Sequence, residues 1–341
     1  MSDQKTINII GWGLAGATLA WQLFKRKVPF QVYDNGVNFS SRVAAGLVNP
    51  IVFKRLTKSW KADILLPFAK DFYSEIEEIT SFQFLSNRSI ARVFASVEEQ
   101  NNWASLSGDE RFASYLSEID ELNESLIQAP FGIGRVITIG NLDVNAFLDR
   151  SKDNLIEQGV TFINRPFNSK MIDQDEYVFC EGYKIIQNPF FGYIPMKPTH
   201  GDVLTIRSDQ LRIEDIVNKN MFILPLGDGL YRVGATYNWD KLEPEPTIEG
   251  KDELIDKLRS FTTFPFEVIQ HDAGIRPTVS DRRPFLGTHP KNKKLHVFNG
   301  LGTKGVMIAP FYAEQMANYL CLGKVIDEDV DVRRFDKFYP S

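Results

Sequence analysis

The sequence predicts a mixed α/β and α+β fold: a Rossmann-type dinucleotide-binding domain, assembled from separated stretches, with an inserted antiparallel-sheet substrate domain. Three observations predict it. Residues 6–34, TINIIGWGLAGATLAWQLFKRKVPFQVYD, read as strand, glycine turn, helix, strand and terminal acid. The α/β pattern then returns at 141–182 and at 294–320. From Pro195 the intervening chain is β-rich with tight turns. Such interleaving implies one domain built from discontinuous segments and a second built from the insertions.

In the opening stretch, TINII is a short β-branched apolar run, as in a strand buried on both faces. Gly11, Gly13 and Gly16 form GxGxxG where that strand becomes a helix. The first glycine allows the sharp turn, the second a close approach of backbone to a pyrophosphate, and the third close packing of helix on strand. Leu14 and Ala15 open the helix, whose free N–H groups and dipole favour phosphate. The helix runs from Leu14 to Arg26 and ends in the basic KRK, which suits a C-terminus. The second strand closes on Asp34, about 20 residues past the glycines, where a carboxylate accepts ribose hydroxyls. Glycine triplets alone are weak signals; the strand, helix and acid around this one make it a dinucleotide site.

Bulk properties narrow the class. With 341 residues, 43% hydrophobic and 24% charged, the chain has the size and composition of a two-domain globular protein. A formal charge of −5 argues against a nucleic-acid footprint. No apolar run reaches the roughly 20 residues of a membrane span. MSDQKT runs straight into the first strand, leaving no room for a signal peptide. Cys180 and Cys321 lack metal spacing, and the four histidines form no HxxxH or HxH pair. These features lead us to expect a cytoplasmic, metal-free protein with reduced thiols.

Further along, the loop NGVNFSSRVAAGLVNP (35–50) is rich in small residues. Its composition allows either backbone approach to a flat flavin ring or an ordinary loop. Residues 58–80 carry Ile64, Leu65, Phe68, Phe72, Ile76 and Ile79 at helical spacing, with Pro67 as a kink or a start. A strand at 89–96 and a helix from Val97 to Leu106 precede an irregular stretch, 107–139, whose turn PFGIG leads to the strand RVITI. Residues 141–164 read as helix, Gly159 and strand, and EYVFC (176–180) as a strand ending at Glu181–Gly182. GDVLTI, MFILPL and LYRVGATY are strands, the last two joined at Gly227–Asp228–Gly229. An acidic proline-rich loop, a helix at 251–261 and a closing strand–glycine loop–helix at 294–320 complete the chain. The expected division is 1–80, 140–195 and 270–341 for the dinucleotide domain, and 81–139 and 196–269 for the substrate domain. The cleft between two such domains is the expected ligand site.

These stretches resemble the D-amino-acid oxidase family of flavoenzymes, which includes glycine oxidase, sarcosine oxidase and the oxidase half of a bifunctional tRNA-wobble-uridine enzyme. The carriers are GWGLAGATLAWQL (11–23), AAGLVNP (44–50), LDVNAFLDRSKDNLIEQGV (142–160), VFCEG (178–182), THGDVL (199–204), VGATY (233–237), GIRPTVSDRRPFLG (274–287) and HVFNGLGTKGVMIAP (296–310). They occur in family order over nearly the whole chain. The resemblance implies FAD and a glutathione-reductase-like two-domain fold. It places Gly11, Gly13, Leu14, Ala15 and Gly16 at the pyrophosphate and Asp34 at the adenosine ribose. Arg42, Ala44, Ala45 and Gly46 match the loop along pyrophosphate and flavin. Phe167 matches the adenine strand, and Gly182 a glycine turn against the dinucleotide. Gly300, Gly302, Thr303, Lys304 and Gly305 match the closing loop, whose helix aims its N-terminus at the flavin and favours negative charge there.

The resemblance also makes Arg276, in GIRP, the candidate fork for a substrate carboxylate; the alternative is an ion pair with Asp272 or Asp281. Lys304 is a candidate for charge stabilisation or oxygen activation, or else a solvent-facing loop lysine. Tyr231 and Tyr237 are candidate lid residues, or sheet packing. His200 reads as a loop histidine, and Arg282 and Arg283 as structural or exposed. Two departures from the family pattern bear on the site. Relatives with covalent flavin carry a cysteine near the position of Pro277, and this chain has none between Cys180 and Cys321, so noncovalent FAD is expected. Glu181 and Tyr183 stand where the family has small residues, and RVAAGLVNP differs from the commoner serine- and glycine-rich loop.

The function implied is an FAD-dependent oxidase or dehydrogenase that oxidises the C–N bond of an amino acid or secondary amine by hydride transfer to flavin N5. The alternative is an oxidase acting on a carboxymethylaminomethyl group of tRNA uridine. The lack of a methyltransferase domain and the acidic charge count against it, and it calls for a basic patch at the cleft. A non-enzymatic flavin-binding protein would need a blocked cleft.

Overall fold

The computed structural model describes residues 6–37, 40–122 and 124–340. Expectations resting on the N-terminal MSDQK, and on Asn38 and Phe39 of the small-residue loop, lie outside the described residues.

The chain opens with β1 (Ile7–Ile10), α1 (Leu14–Lys25), β2 (Phe30–Tyr33), a one-turn α2 (Ser40–Val43) and a hairpin of β3 (Ile51–Val52) and β4 (Thr57–Lys58). Then follow α3 (Ala62–Thr80), β5 (Leu85–Ser86), β6 (Ile90–Val93), α4 (Val97–Ser107), β7 (Leu116–Asp120), β8 (Ile133–Val136) and β9 (Asn141–Leu142). Next come α5 (Val144–Glu157), β10 (Thr161–Ile163), β11 (Glu176–Phe179), β12 (Thr199–Arg207), β13 (Ile216–Asn218), β14 (Phe222–Gly227) and β15 (Leu230–Gly234). The last elements are α6 (Ile248–Arg259), β16 (Glu267–Arg276), β17 (Phe285–Thr288), β18 (Leu295–Asn299) and α7 (Gly305–Leu322).

Six strands form one sheet in the order β10-β2-β1-β11-β18-β17. The first five are parallel and β17 is an antiparallel edge. β1 is buried at all four positions, which explains its unbroken apolar run. Ile10 is level with Tyr33 on one side and Phe179 on the other, and Phe179 with Val297. This register brings Gly11, Asp34, Cys180 and Gly300 together just past the carboxyl ends of four adjacent strands, the edge where open α/β sheets bind ligands. On one face α1 packs beside α7, with α3 and α5 in the same apolar core around Trp21, Tyr73, Phe147 and Tyr312. Two of its buried polar atoms are partnered: Trp21 Nε1 donates to Ser151 Oγ at 2.8 Å, and the Tyr73 hydroxyl to Val306 O at 3.0 Å.

Eight strands form the second sheet, β16-β12-β15-β14-β13-β6-β8-β7. Its pairs are antiparallel except β13–β6. α6 covers it through Leu254 and Leu258. β12 and β16 pair along their length, from Arg207 opposite Glu267 to Thr199 opposite Arg276.

Several expectations are corrected. The stretch 107–139 is not irregular, because it supplies β7 and β8 to the second sheet. β7 is an edge strand with Leu116 buried and Glu118–Asp120 exposed, so it shows no alternation. β16 was not anticipated for the same reason, since its first six residues are exposed or half-buried. The expected boundary at residue 270 falls inside this strand. Pro67 lies within α3 rather than at its start.

Candidate active site

A cavity of about 560 Å³ lies where the carboxyl edge of the six-stranded sheet meets β12, β15 and the end of β16. Gly11, at φ +107°, turns the chain out of β1; a Cβ there would stand 2.6 Å from Cys180 O. At Gly16 a Cβ would meet Gly11 O at 2.0 Å, so the third glycine lets α1 sit on the turn. Gly13 is the N-cap of α1 and gives it no side-chain cap, and the first turn holds no acid. Gly13, Leu14 and Ala15 line the cavity. The Leu14 N–H is taken by Ser41 Oγ at 3.2 Å. Asp34 also lines the cavity; burial pushes its carboxyl up, opposed by backbone N–H groups of Trp12 and Gly36.

Ala44, Ala45 and Gly46 line the wall. Gly46 adopts φ +69° and lies so close to β9 that a Cβ would be 1.8 Å from Leu142 O. Phe167 and Gly182 line the same cavity, and Gly182 O accepts from Asn299 Nδ2 at 2.9 Å. Gly302, Thr303, Lys304 and Gly305 close it at the N-terminus of α7.

Three cofactor assignments are corrected in part. Arg42 turns away from the cavity to pair with Asp149 at 2.6 Å and Asn145 at 3.3 Å on α5. Of this one-turn helix Ser40, Ser41 and Val43 line the cavity, which leaves Arg42 on the side that meets α5. Gly16 and Gly300 act beneath the cavity surface. A Cβ at Gly300 would lie 2.7 Å from Phe285 and Val279, so this glycine shapes the loop rather than touching a ligand.

Lys304 is not a solvent-facing lysine. Its Nζ donates to Asn49 O at 2.7 Å and Ser59 Oγ at 2.5 Å, and it makes no ion pair among the described residues. Burial lowers it to about 8.

Arg276, at the end of β16, faces the cavity with its guanidinium 4.3 Å from the Tyr237 ring centroid. Two N–H groups donate to His200 O and Thr236 O, each at 3.2 Å. Gly201 makes its place, since a Cβ there would fall 2.3 Å from the guanidinium. The alternative ion pairs do not form, because Asp272 pairs with Arg232 and Asp281 with Arg334. Arg276 thus makes no ion pair among the described residues, and burial lowers its pKa.

Tyr237 stands at the mouth, 58% exposed. Tyr231 is corrected: it is buried in the second core and its hydroxyl donates to Leu211 O at 2.6 Å. Alternation along β15 decides this, with Tyr231 and Val233 facing that core while Gly234 lines the cavity. His200 is also corrected, being a buried residue of β12 rather than of a loop. Sequence reasoning missed Ser41 and Asn299. An asparagine before Gly300 is the signal that could have found Asn299, for its Oδ1 accepts the Gly300 N–H at 2.7 Å.

Arg165, Lys184, Arg276 and Lys304 line the cavity against two acids, Asp34 and Glu181. A cationic cavity with a helix N-terminus whose N-cap is glycine, and glycines at the closest approaches, fits an anionic dinucleotide. The family model described as FAD dependent oxidoreductase (DAO) matches residues 6–319. The chain belongs to the DAO family of FAD-dependent oxidoreductases. FAD is therefore its cofactor, and the residues present fit it.

A tRNA 5-methylaminomethyl-2-thiouridine biosynthesis bifunctional protein from Marinobacter nauticus is 23% identical over 354 residues, 92% of this chain and 55% of the relative. The chain thus spans a little over half the length of such relatives. Glycine oxidase from Bacillus licheniformis is 27% identical over 143 residues, 41% of this chain and 39% of that protein. Among solved structures, glycine oxidase from Geobacillus kaustophilus superposes with a TM-score of 0.79 at 16% identity, covering 97% of this chain and 98% of that one. L-proline dehydrogenase from P. horikoshii gives 0.78 at 15% identity, covering 99% of each. These likenesses show the fold. No helix among the described residues is long and apolar enough to cross a membrane.

Proposed function

We propose that this DAO-family protein, with noncovalent FAD, oxidises the C–N bond of an amino acid or secondary amine that carries a carboxylate. Residues at the carboxyl edge of the six-stranded sheet would hold the dinucleotide, and residues of the eight-stranded sheet the substrate. The observation that carries this reading is Arg276, a half-buried guanidinium without an ion-pair partner among the described residues, facing the cavity. Its remaining donors suit a carboxylate fork. Tyr237 covers the guanidinium, and Leu47, Met221 and Phe222 provide apolar wall that excludes water. Bound FAD supplies the two-electron acceptor. The carbon beside the amine nitrogen loses a hydride equivalent, and water hydrolyses the resulting imine to a carbonyl and a free amine. No general base is required once the amine is neutral.

A second reading, oxidation of a carboxymethylaminomethyl group on tRNA uridine, is favoured by the match of 92% of this chain to 55% of a tRNA-biosynthesis protein. Both readings share one chemical unit, an amine nitrogen one carbon from a carboxylate, and both place that carboxylate on Arg276. The test is product analysis: the FAD-loaded protein is incubated with glycine, sarcosine, proline, D-amino acids and 5-carboxymethylaminomethyluridine. Glyoxylate from sarcosine or glycine supports the first reading, and glyoxylate from the nucleoside alone the second. Absence of any carbonyl product across the panel contradicts both.

Lys304 adds a pH signature. With its pKa lowered to about 8, the free protein has lost half of this charge near that pH and loses the rest above it. An anionic ligand restores the charge, so binding draws a proton. FAD affinity of the apoprotein is then flat below pH 8 and falls above it, by up to about tenfold per pH unit. Fluorescence titration of FAD from pH 7 to 10 checks this, with Lys304→Met expected to flatten the curve.

A further inference from the structure

Behind Arg276 lies a buried polar cluster that the oxidation itself does not use. At its centre is Asp202 of β12, 1% exposed. Asp202 Oδ2 accepts from Thr236 Oγ1 at 3.1 Å and Thr247 Oγ1 at 3.0 Å. Oδ1 accepts from the Thr247 N–H at 2.8 Å and His271 Nε2 at 2.9 Å. Thr236 Oγ1 also accepts the Asp202 N–H at 2.8 Å, and Thr247 Oγ1 the Gly250 N–H at 3.0 Å. With each hydroxyl giving its own proton to the carboxylate, all four acceptor sites of the carboxylate are filled. Gly250 is part of the fit, since a Cβ there would stand 2.0 Å from Oδ2. His200, whose Nε2 meets Glu245 O at 3.1 Å, has its Nδ1 3.6 Å from Oδ2. Burial alone would push the carboxyl up, but hydrogen bonds from Thr247 and His271, with His200 nearby, hold it below its ordinary value.

Thr236 and Thr247 bracket the segment 236–247, so one carboxylate ties both ends of that segment to β12. The two carbonyls that hold Arg276 belong to the same assembly, His200 O and Thr236 O. Tyr237, which covers the guanidinium, is the next residue. We propose that Asp202 is a positioning residue for Arg276: by fixing Thr236 and the 236–247 segment it aims the guanidinium at the substrate carboxylate and keeps Tyr237 over it. Asp202 touches neither substrate nor FAD; it acts through the two carbonyls and through its charge behind the guanidinium. This inference rests on the carboxylate reading of Arg276.

The experiment measures binding of benzoate, with benzamide as its neutral control, to the FAD-loaded protein through perturbation of the flavin spectrum. Wild type, Asp202→Asn, Thr236→Val, Arg276→Leu and Asp202→Asn/Arg276→Leu are compared. Asparagine cannot accept both hydroxyls, and valine keeps the shape of Thr236 while removing both its bond to the carboxylate and its acceptor for the Asp202 N–H, so Thr236→Val carries the test should Asp202→Asn not fold. Each is expected to weaken benzoate about tenfold, the scale of a hydrogen bond to a charged group, while leaving benzamide and FAD content unchanged. In the Arg276→Leu background Asp202→Asn is expected to have no further effect on benzoate, as for residues acting through one contact. Equal weakening of benzoate and benzamide, an undiminished benzoate affinity in both variants, or a full loss from Asp202→Asn in the Arg276→Leu background would overturn the positioning role. If Arg276→Leu itself leaves benzoate binding intact, the carboxylate reading fails, and the inference with it.

Discussion

Arg276→Leu lowers kcat/KM for carboxylate-bearing amines by a factor of about 10²–10³, while FAD content and melting temperature stay near wild type. The size follows from the site. Removing one partner of a buried charge pair costs about 2–5 kcal/mol, and each 1.4 kcal/mol is a factor of ten. Much of that cost is the substrate carboxylate left without its fork. The same substitution barely changes turnover of the corresponding amide, because an amide brings no charge to lose. Arg276→Lys is not a rescue, since a point charge on a flexible stem cannot hold both oxygens and the His200 and Thr236 carbonyls together. Steady-state kinetics on matched acid and amide substrates read the split. An Arg276→Leu enzyme that loses both equally contradicts the assignment.

Gly16→Ala and Gly46→Ala yield protein that purifies without flavin. At Gly16 the added methyl would enter to 2.0 Å from Gly11 O and 3.3 Å from Ile9 Cγ2, so α1 must lift from the turn proposed to hold the phosphates. At Gly46 it would meet Leu142 O at 1.8 Å, and φ +69° adds backbone strain. Overpacking of this kind costs about 1–3 kcal/mol in stability, and here it moves the cavity walls proposed to hold FAD. Gly159→Ala is the control: its φ of +89° is as strained, but nothing lies within 4 Å. It is expected to cost about 1–2 kcal/mol and to keep its flavin. The ratio of flavin to protein absorbance after purification, with denaturant midpoints beside it, separates the two cases.

The parts of this protein that were legible in its sequence are local. Gly11, Gly13, Gly16 and Asp34 belong to one strand–helix–strand unit, and their spacing reports a geometry complete within 29 residues, 6–34. The loop at 300–305 is legible on the same terms. What failed depends on facing. Arg42 lies beside cavity-lining residues on a single helical turn, and nothing in its sequence says which side meets α5. Tyr231 and Tyr237 look alike until the pairing of β15 puts one in the core and leaves the other at the mouth. β16 carries few buried side chains outside its last residues, so it gave no strand pattern, although it delivers Arg276. The Asp202 cluster joins residues 202, 236, 247 and 271, and only the tertiary fold brings them together.

The central claim is that this cavity oxidises an amine whose carboxylate is held by Arg276. Anaerobic titration of the FAD-loaded protein with an N-substituted glycine, and separately with its amide, tests it most directly. The claim predicts that the acid bleaches the oxidised flavin band at concentrations where the amide does not. Bleaching by acid and amide alike, or by neither the acid nor any other amine of the panel, would contradict it.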